Sequence, residues 1–411
     1  MAWFQVVATA LVMTTLSLGN CMGHPRDRQF FPSEQNRLKQ VVEVEETTMC
    51  FPALFSFGGS VADTGTQAIA FSLQITQYPP YGMTFFGKPA SRYCDGRVHI
   101  DFWATALKMP FLDPYVKGVG SNFRRGANFA AAGARATNET GETPFSLSVQ
   151  LNQFREFKRN VLELIKQGSS QNGAHYNQVP QEQDFREALY VITIGTTDIL
   201  KWSLLEGRSL EEVEREVVLL IPQVSNEILR VVEALYAEGA RNILVEAVSP
   251  NGCSPAAIVT MAEESPDKFD AAGCFKPIND LVQLHNSLLT KGIAELGKRF
   301  PDASISVIDA YSIRYDVIAN HDQYGFTEPF KSCCGAGGDY NSDVGCGKSI
   351  ILDDGVVMTA SVCDDVSKHI VWDDIHSTEA ANRVTMQKIL SGKYFEPGFD
   401  VVRNGCQLAE I

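Results

Sequence analysis

The sequence lacks an excess of positive charge: 35 Lys and Arg stand against 49 Asp and Glu, for a net charge of −14. Such a field repels phosphate backbones and anionic membrane surfaces, so no nucleic-acid partner is expected. Beyond the N-terminal segment no apolar run approaches the roughly 18 residues that a spanning helix needs, and stable membrane insertion of the mature chain is not expected. Neither a CxxC pair nor an HExxH motif occurs, so the close-spaced ligands of a zinc site are missing and no metal is expected. No repeat of fixed period and no linker rich in Gly, Pro or Ser divides the 411 residues. One domain is the simplest organisation. With 45% hydrophobic and 20% charged residues, the composition excludes global disorder.

What is present begins with an address. The apolar run from Ala2 through Leu18, followed by Gly19, Asn20, Cys21, Met22 and Gly23, has the length and small-residue ending of a secretory signal. We expect a signal peptide over 1–23, cleaved between Gly19 and Gly23, a polar leader over 24–48 and a domain over 49–411. The ten cysteines fit that address, because an oxidising compartment turns such residues into disulfides. Local spacing suggests Cys253 with Cys274, and Cys333 or Cys334 with Cys346 or Cys363. Removing Cys21 leaves nine, so at least one thiol is expected to stay free. Asn138-Glu139-Thr140 is a glycosylation sequon in a Gly- and Thr-rich stretch that reads as an exposed loop.

After Cys50, short apolar runs alternate with longer amphipathic ones. Strands are expected at Ala53–Phe57, Ala188–Ile194, Ile243–Val248 and Ser304–Ile308. Helices are expected at Leu147–Lys166, Leu210–Tyr236, with a kink at Pro222, and Ile278–Phe300. Strand, long helix and strand in repetition predict a mostly parallel sheet with helices on both faces. Active residues of such sheets gather outside the carboxyl ends of the strands.

Two segments carry candidate chemistry. The first strand runs into Phe57-Gly58-Gly59-Ser60, a serine on a glycine-flanked turn that brings a side chain and its own N–H to one ligand. Far along the chain, Asp373-Asp374-Ile375-His376 spaces a carboxylate and an imidazole for one turn, as in a Ser-His-Asp triad. Taken with Asp95-Gly96-Arg97 and Ile194-Gly195-Thr196-Thr197-Asp198, these segments resemble, in order, the blocks of the plant GDSL esterase/lipase family of the SGNH hydrolase superfamily. Tyr78-Pro79-Pro80-Tyr81-Gly82-Met83-Thr84, Gly126-Ala127-Asn128-Phe129-Ala130 with Gly133-Ala134, and Leu147-Ser148-Val149-Gln150-Leu151 are similar to that family as well.

The resemblance implies a flavodoxin-like, three-layer α/β/α sandwich and no cofactor. It implies a secreted hydrolase of small-molecule, cell-wall or lipid esters, with Ser60 as nucleophile, His376 as base and acid, and Asp373 as its orienting carboxylate. It assigns the oxyanion hole to the N–H groups of Ser60 and Gly96 and to an Asn amide at the position of Thr197. Two positions depart from the family: Gly59 stands where it has Asp, and Thr197 where it has Asn. Three readings follow, namely a retuned esterase, an acyltransferase using the same acyl-enzyme, and a binding or defence protein without catalysis. Asn128 is a further candidate for the missing amide donor. Other residues are read as structural: His99 facing solvent at a helix start, His285 as helix filling, His369 on a strand surface, Asp63 as a helix N-terminal carboxylate, Lys291 and Lys298 as a solvated face, and Trp103 and Trp372 as core.

Overall fold

The computed structural model describes residues 49–411 except 72, 139–142, 169–176, 204–208, 263–266 and 403–404. The expected signal, leader and Cys21 lie outside these residues. β1 (Leu54–Gly58), β2 (Gly126–Asn128), β3 (Leu189–Thr193), β4 (Asn242–Glu246), β5 (Ser304–Ile308) and β6 (Phe395–Glu396) form one sheet of six strands in the order β6-β5-β4-β3-β1-β2. Its pairings are parallel from β2 through β5, and β6 adds an antiparallel edge.

The helices that matter for the site are α1 (His99–Ala106), α2 (Leu147–Gly168), α3 (Thr196–Ser203), α4 (Leu210–Ala237), α5 (Lys276–Arg299), α6 (Ala310–Ala319) and α7 (Glu379–Leu390). Strand periodicity sorts them into two layers, since successive side chains of one strand point to opposite faces. Phe55, Phe57, Tyr190, Ile192, Ile243 and Val245 join one core with Phe154 of α2, Val224 and Ile228 of α4 and Leu289 of α5. Leu54, Leu189, Val191 and Leu244 join the other with Trp103 of α1, Ile313 of α6 and Met386 of α7. The three-layer sandwich expected from the sequence is present. β1 is buried along its whole length, as a central parallel strand covered on both faces must be.

The four expected strands lie within one or two residues of those observed. β2 and β6, of three and two residues, carry too little pattern to read. α4 runs unbroken from Leu210 to Ala237 with Pro222 inside it. Its start is set by Ser209, whose hydroxyl accepts from Glu212 N at 3.3 Å while Glu212 Oε2 accepts from Ser209 N at 3.1 Å, a reciprocal capping box.

Four disulfides are present: Cys50–Cys406, Cys253–Cys274, Cys333–Cys363 and Cys334–Cys346. The local pairings expected from spacing are met, and the free thiol among the described residues is the buried Cys94. Asn138 is exposed, and its Oδ1 accepts from Ser146 Oγ at 2.9 Å. The rest of its sequon lies outside the described residues. In protein spanning residues 49–411, a thiol reagent should titrate one sulfhydryl, and only after unfolding; Cys94→Ser should leave none. A second reactive thiol would contradict this pairing.

Candidate active site

Ser60 follows the carboxyl end of β1, and the turn that presents it is fixed from three sides. Gly58 has φ +148°, and a Cβ there would stand 2.1 Å from Thr193 O at the end of β3. Only glycine lets the two strands end so close together. The fully buried Gln150 of α2 clamps Gly58, its Oε1 accepting from Gly58 N at 2.8 Å and its Nε2 donating to Gly58 O at 2.9 Å. Gly59 N donates to Thr193 O at 3.0 Å. The buried carboxylate of Asp63 then accepts from Gly65 N, Thr66 N and Gln67 N at the start of the next short helix, and from Ala132 N after β2. The expected helix-terminal role of Asp63 is met, with a second duty of fastening the loop after β2 beside the Ser60 turn.

His376 arrives from the other end of the chain. Trp372 N donates to His376 O at 2.7 Å, closing 372–376 into a tight loop, and Thr378 Oγ1 caps α7 directly after it by accepting from Ala381 N at 3.2 Å. Cys333 N and Cys334 N donate to Val371 O and Trp372 O at 3.0 and 2.7 Å. The segment behind the histidine loop, Cys333 and the short strand Cys334–Ala336, thus carries two of the disulfides. Trp372 and Trp103 are fully buried, as expected of core residues.

These supports bring the two segments together. His376 Nε2 lies 2.8 Å from Ser60 Oγ, and its Nδ1 lies 2.8 and 3.0 Å from the two oxygens of Asp373. Asp373 Oδ1 also accepts from His376 N at 3.0 Å, and Tyr81 donates its hydroxyl to Asp373 Oδ2 at 2.8 Å. The Tyr93 ring packs on the imidazole, with centroids 5.1 Å apart. Sequence reasoning does not single out either tyrosine; the signal for Tyr81 is its place in the Tyr78–Thr84 stretch.

The electrostatics follow from burial opposed by pairing. Burial pushes the Asp373 carboxyl up, but the His376 charge and the hydrogen bonds from His376 and Tyr81 outweigh it and hold the group below its usual range. Burial pulls the His376 imidazole down, while the charge and hydrogen bonds of Asp373, with the charge of Asp374, leave it above its ordinary value. Asp374 is pushed up to about 7 by burial and by Asp373 beside it. Its backbone has φ +81°, a left-handed conformation that Asp and Asn tolerate better than most residues. Asp198, on α3, is raised to about 6 by burial even though Ala136 N, Thr137 N and Thr137 Oγ1 donate to it.

Ser60 and His376 border a cavity of about 90 Å³ at the carboxyl ends of β3 and β4. Thr196 lines it and Thr197 does not. Gly96 is also absent from its walls, and the Gly96 N–H is turned to Cys94 Sγ at 3.3 Å, unlike the expectation that it faces the oxyanion. Asn128 is committed elsewhere, donating to Ala62 O at 2.6 Å and Thr64 Oγ1 at 2.9 Å. By contrast, the N–H groups of Ser60 and Gly133 have no hydrogen-bond partner among the described residues. Gly133 lies in the loop after β2, whose Ala134 O is 4.0 Å from the position of a Cβ on Gly59. That loop was read only as a resembling stretch, because the direction of an N–H is set by the fold and not by residue type.

His99 and His369 differ from their sequence readings, whereas His285 fills the inner face of α5 as expected. His99 does not face solvent: it is 6% exposed and its Nδ1 lies 2.7 Å from Glu246 Oε1, in the wall of the cavity. His285 is fully buried against Ser225 Oγ at 3.0 Å, and burial alone lowers it to about 4, so it stays neutral. His369 is buried as well, with Nδ1 3.0 Å from Lys331 O. The expected solvated face of α5 is present, with Lys291 and Lys298 exposed.

The profile of the GDSL-like Lipase/Acylhydrolase family matches residues 54–389. Among curated plant proteins, the chain is 37% identical to Alpha-L-fucosidase 3 of Arabidopsis thaliana, over 83% of this chain and 91% of that one. It is 36% identical to the GDSL esterase/lipase ENOD8 of Medicago truncatula, over 86% and 89%, and 36% identical to an esterase of Hevea brasiliensis, over 85% and 88%. A match that spans every strand from β1 to β5, and both the Ser60 turn and the His376 loop, makes this chain a member of the GDSL-like lipase/acylhydrolase family of carboxylic ester hydrolases.

Proposed function

We propose that the protein is a secreted serine esterase in which Ser60, His376 and Asp373 act as nucleophile, base and orienting carboxylate. The observation that carries this reading is the unbroken chain of contacts from Ser60 Oγ through both imidazole nitrogens to Asp373. His376 Nε2 takes the proton as Ser60 Oγ attacks the ester carbonyl, and Asp373 stabilises the imidazolium that forms. His376 then protonates the departing alcohol. Water, deprotonated by the same nitrogen, releases the acid and restores Ser60. An intact relay supports hydrolysis over a binding role without catalysis.

Negative charge on the carbonyl oxygen needs preorganised donors. We assign one of them to the Ser60 N–H, which lies in the cavity wall, and a second to the Gly133 N–H in the loop after β2, which like Gly96 lies outside that wall but, unlike Gly96, has no hydrogen-bond partner among the described residues. The third, an Asn amide in the family, has no equivalent: Thr197 is a shorter donor outside the cavity wall. Losing one such donor costs on the order of 10²–10³ in rate, so a slowed enzyme is the expected phenotype. The secretory address rests on the N-terminal apolar run and on the disulfides.

The direct test is hydrolysis of a short-chain chromogenic ester by the purified mature protein, beside Ser60→Ala prepared identically. Turnover is expected for the wild type and none for the variant; equal, negligible rates would reject the esterase reading. Thr197→Asn should raise kcat at least about tenfold if the third donor is what is missing, and an unchanged kcat would show that the hole is already complete. The reaction needs neutral His376, whose pKa is raised, so kcat/KM should climb with pH to a midpoint above 6.5. Asp374→Asn removes an anion that favours the imidazolium and suits the left-handed backbone, so the acid limb of the profile should move to lower pH.

A further inference from the structure

Beyond Ser60 and His376, the cavity ends in charged and polar groups that the ester-cleaving relay does not use. They sit where three elements converge: Glu246 is the last residue of β4, Arg314 belongs to α6, and His99 opens α1. All three line the cavity and are at least nine-tenths buried. Glu246 is held in place, with Oε1 2.7 Å from His99 Nδ1 and Oε2 accepting from Thr193 Oγ1 at 3.2 Å.

Arg314 is not matched in the same way. Its hydrogen bonding among the described residues is one long contact from Nη1 to Thr385 Oγ1, at 3.4 Å, although a guanidinium carries five donors. It senses the charge of Glu246, yet no ion pair joins them among the described residues. Burial lowers its pKa to about 10, so the group remains a cation at neutral pH. A buried cation with so few partners is costly unless something polar completes it. Asn251, which is 7% exposed and lines the same cavity, has an Nδ2 without a partner among the described residues.

The gap between an acceptor, Glu246, and a donor, Arg314, is matched by a group that both donates and accepts. A hydroxyl does so. A carboxylate would meet the Glu246 carboxylate, and an alkyl chain would give the sparsely bonded Arg314 no further partner. The cavity of about 90 Å³ is several times the ~10–15 Å³ that one water needs, enough for a short acyl group. The alcohol leaves first while the acyl group stays bonded to Ser60, so we place the acyl part on the side enclosed against the sheet.

We propose that this cavity is an acyl pocket selective for a short acyl group that carries a hydroxyl, which donates to Glu246 and accepts from Arg314. The inference rests on the esterase reading of the same site. The C–O bond of the ester breaks and a bond from Ser60 Oγ to the hydroxyacyl carbon forms; water then cleaves that bond, and a short hydroxy acid leaves.

The test compares matched chromogenic esters of butyrate and of (R)- and (S)-3-hydroxybutyrate, each enzymatic kcat/KM being divided by the rate of hydrolysis by hydroxide alone. A site built to bond a hydroxyl rejects the analogue lacking it strongly, so one hydroxybutyrate enantiomer should be preferred over butyrate by about tenfold or more. Arg314→Met should collapse that ratio toward one. Glu246→Gln, which keeps the shape, should reduce it in the same direction and serves if Arg314→Met does not fold. Equal normalised rates for all three esters in the wild type would mean that water fills the polar end, and would overturn the hydroxyacyl pocket while leaving the esterase. Failure to turn over any of the three would overturn both.

Discussion

The hydrogen bond between Ser60 and His376 joins residues 316 apart in sequence at 2.8 Å, and most of the polar order in this protein bears on that one distance. On the serine side the sheet ends so that Thr193 O receives Gly59 N, and Gln150 holds both polar groups of Gly58. On the histidine side a loop closed by one backbone bond is backed by the Cys333–Cys334 segment. The disulfides Cys333–Cys363 and Cys334–Cys346 restrain that segment, and Cys333, Cys334 and Cys346 form a cluster of their own with Tyr81 and Trp372. The parallel sheet thus supplies one partner of the bond, and a loop backed by a disulfide-linked segment supplies the other.

Buried carboxylates pay for this precision in desolvation, and the structure answers each in a different way. Asp63 receives four backbone N–H groups, and burial still raises it. Asp373 has fewer backbone donors but faces the His376 imidazole, which becomes a cation on taking a proton, and the Tyr81 hydroxyl, and it falls below its usual range. The contrast follows from a charge partner acting on the ionised form more strongly than neutral donors do. A group that must stay anionic beside an imidazole is therefore given that chargeable partner and a phenol, and a group that only ties loops together is given amides.

The sequence was legible where chemistry is local. The alternation of apolar runs identified four central strands, and the Asp-x-x-His spacing located both members of one hydrogen-bonded pair, because those contacts lie within one turn of chain. It was not legible where a role depends on what a distant element presents. His99 opens a helix between Val98 and Ile100, and nothing local shows that Glu246, 147 residues away, will meet it in the interior. Gly96 and Gly133 are alike as residues, yet the Gly96 N–H donates to Cys94 Sγ while that of Gly133, in the loop after β2, has no partner among the described residues. Tyr81 illustrates the same limit, since its partner Asp373 is 292 residues away.

The two positions that depart from the family pattern can be weighed in the same terms. Gly59 carries no carboxylate, but the Ser60 turn does not need one for its shape: Ala62 N and Asp63 N both donate to Gly59 O, at 3.1 and 3.0 Å, and Gly59 N is held by Thr193. Nothing crowds the site of a Cβ at 59, where the nearest atom is Ala134 O at 4.0 Å, so the missing side chain is a loss of chemistry rather than a response to packing. Thr197 likewise leaves the backbone course of α3 intact, because Gly195 with φ +112° and the buried Asp198 set how that helix begins. One substitution removes a carboxylate and the other exchanges an amide for a hydroxyl, beside a turn whose backbone hydrogen bonds are kept. The contacts that align Ser60 with His376 pass through neither side-chain position.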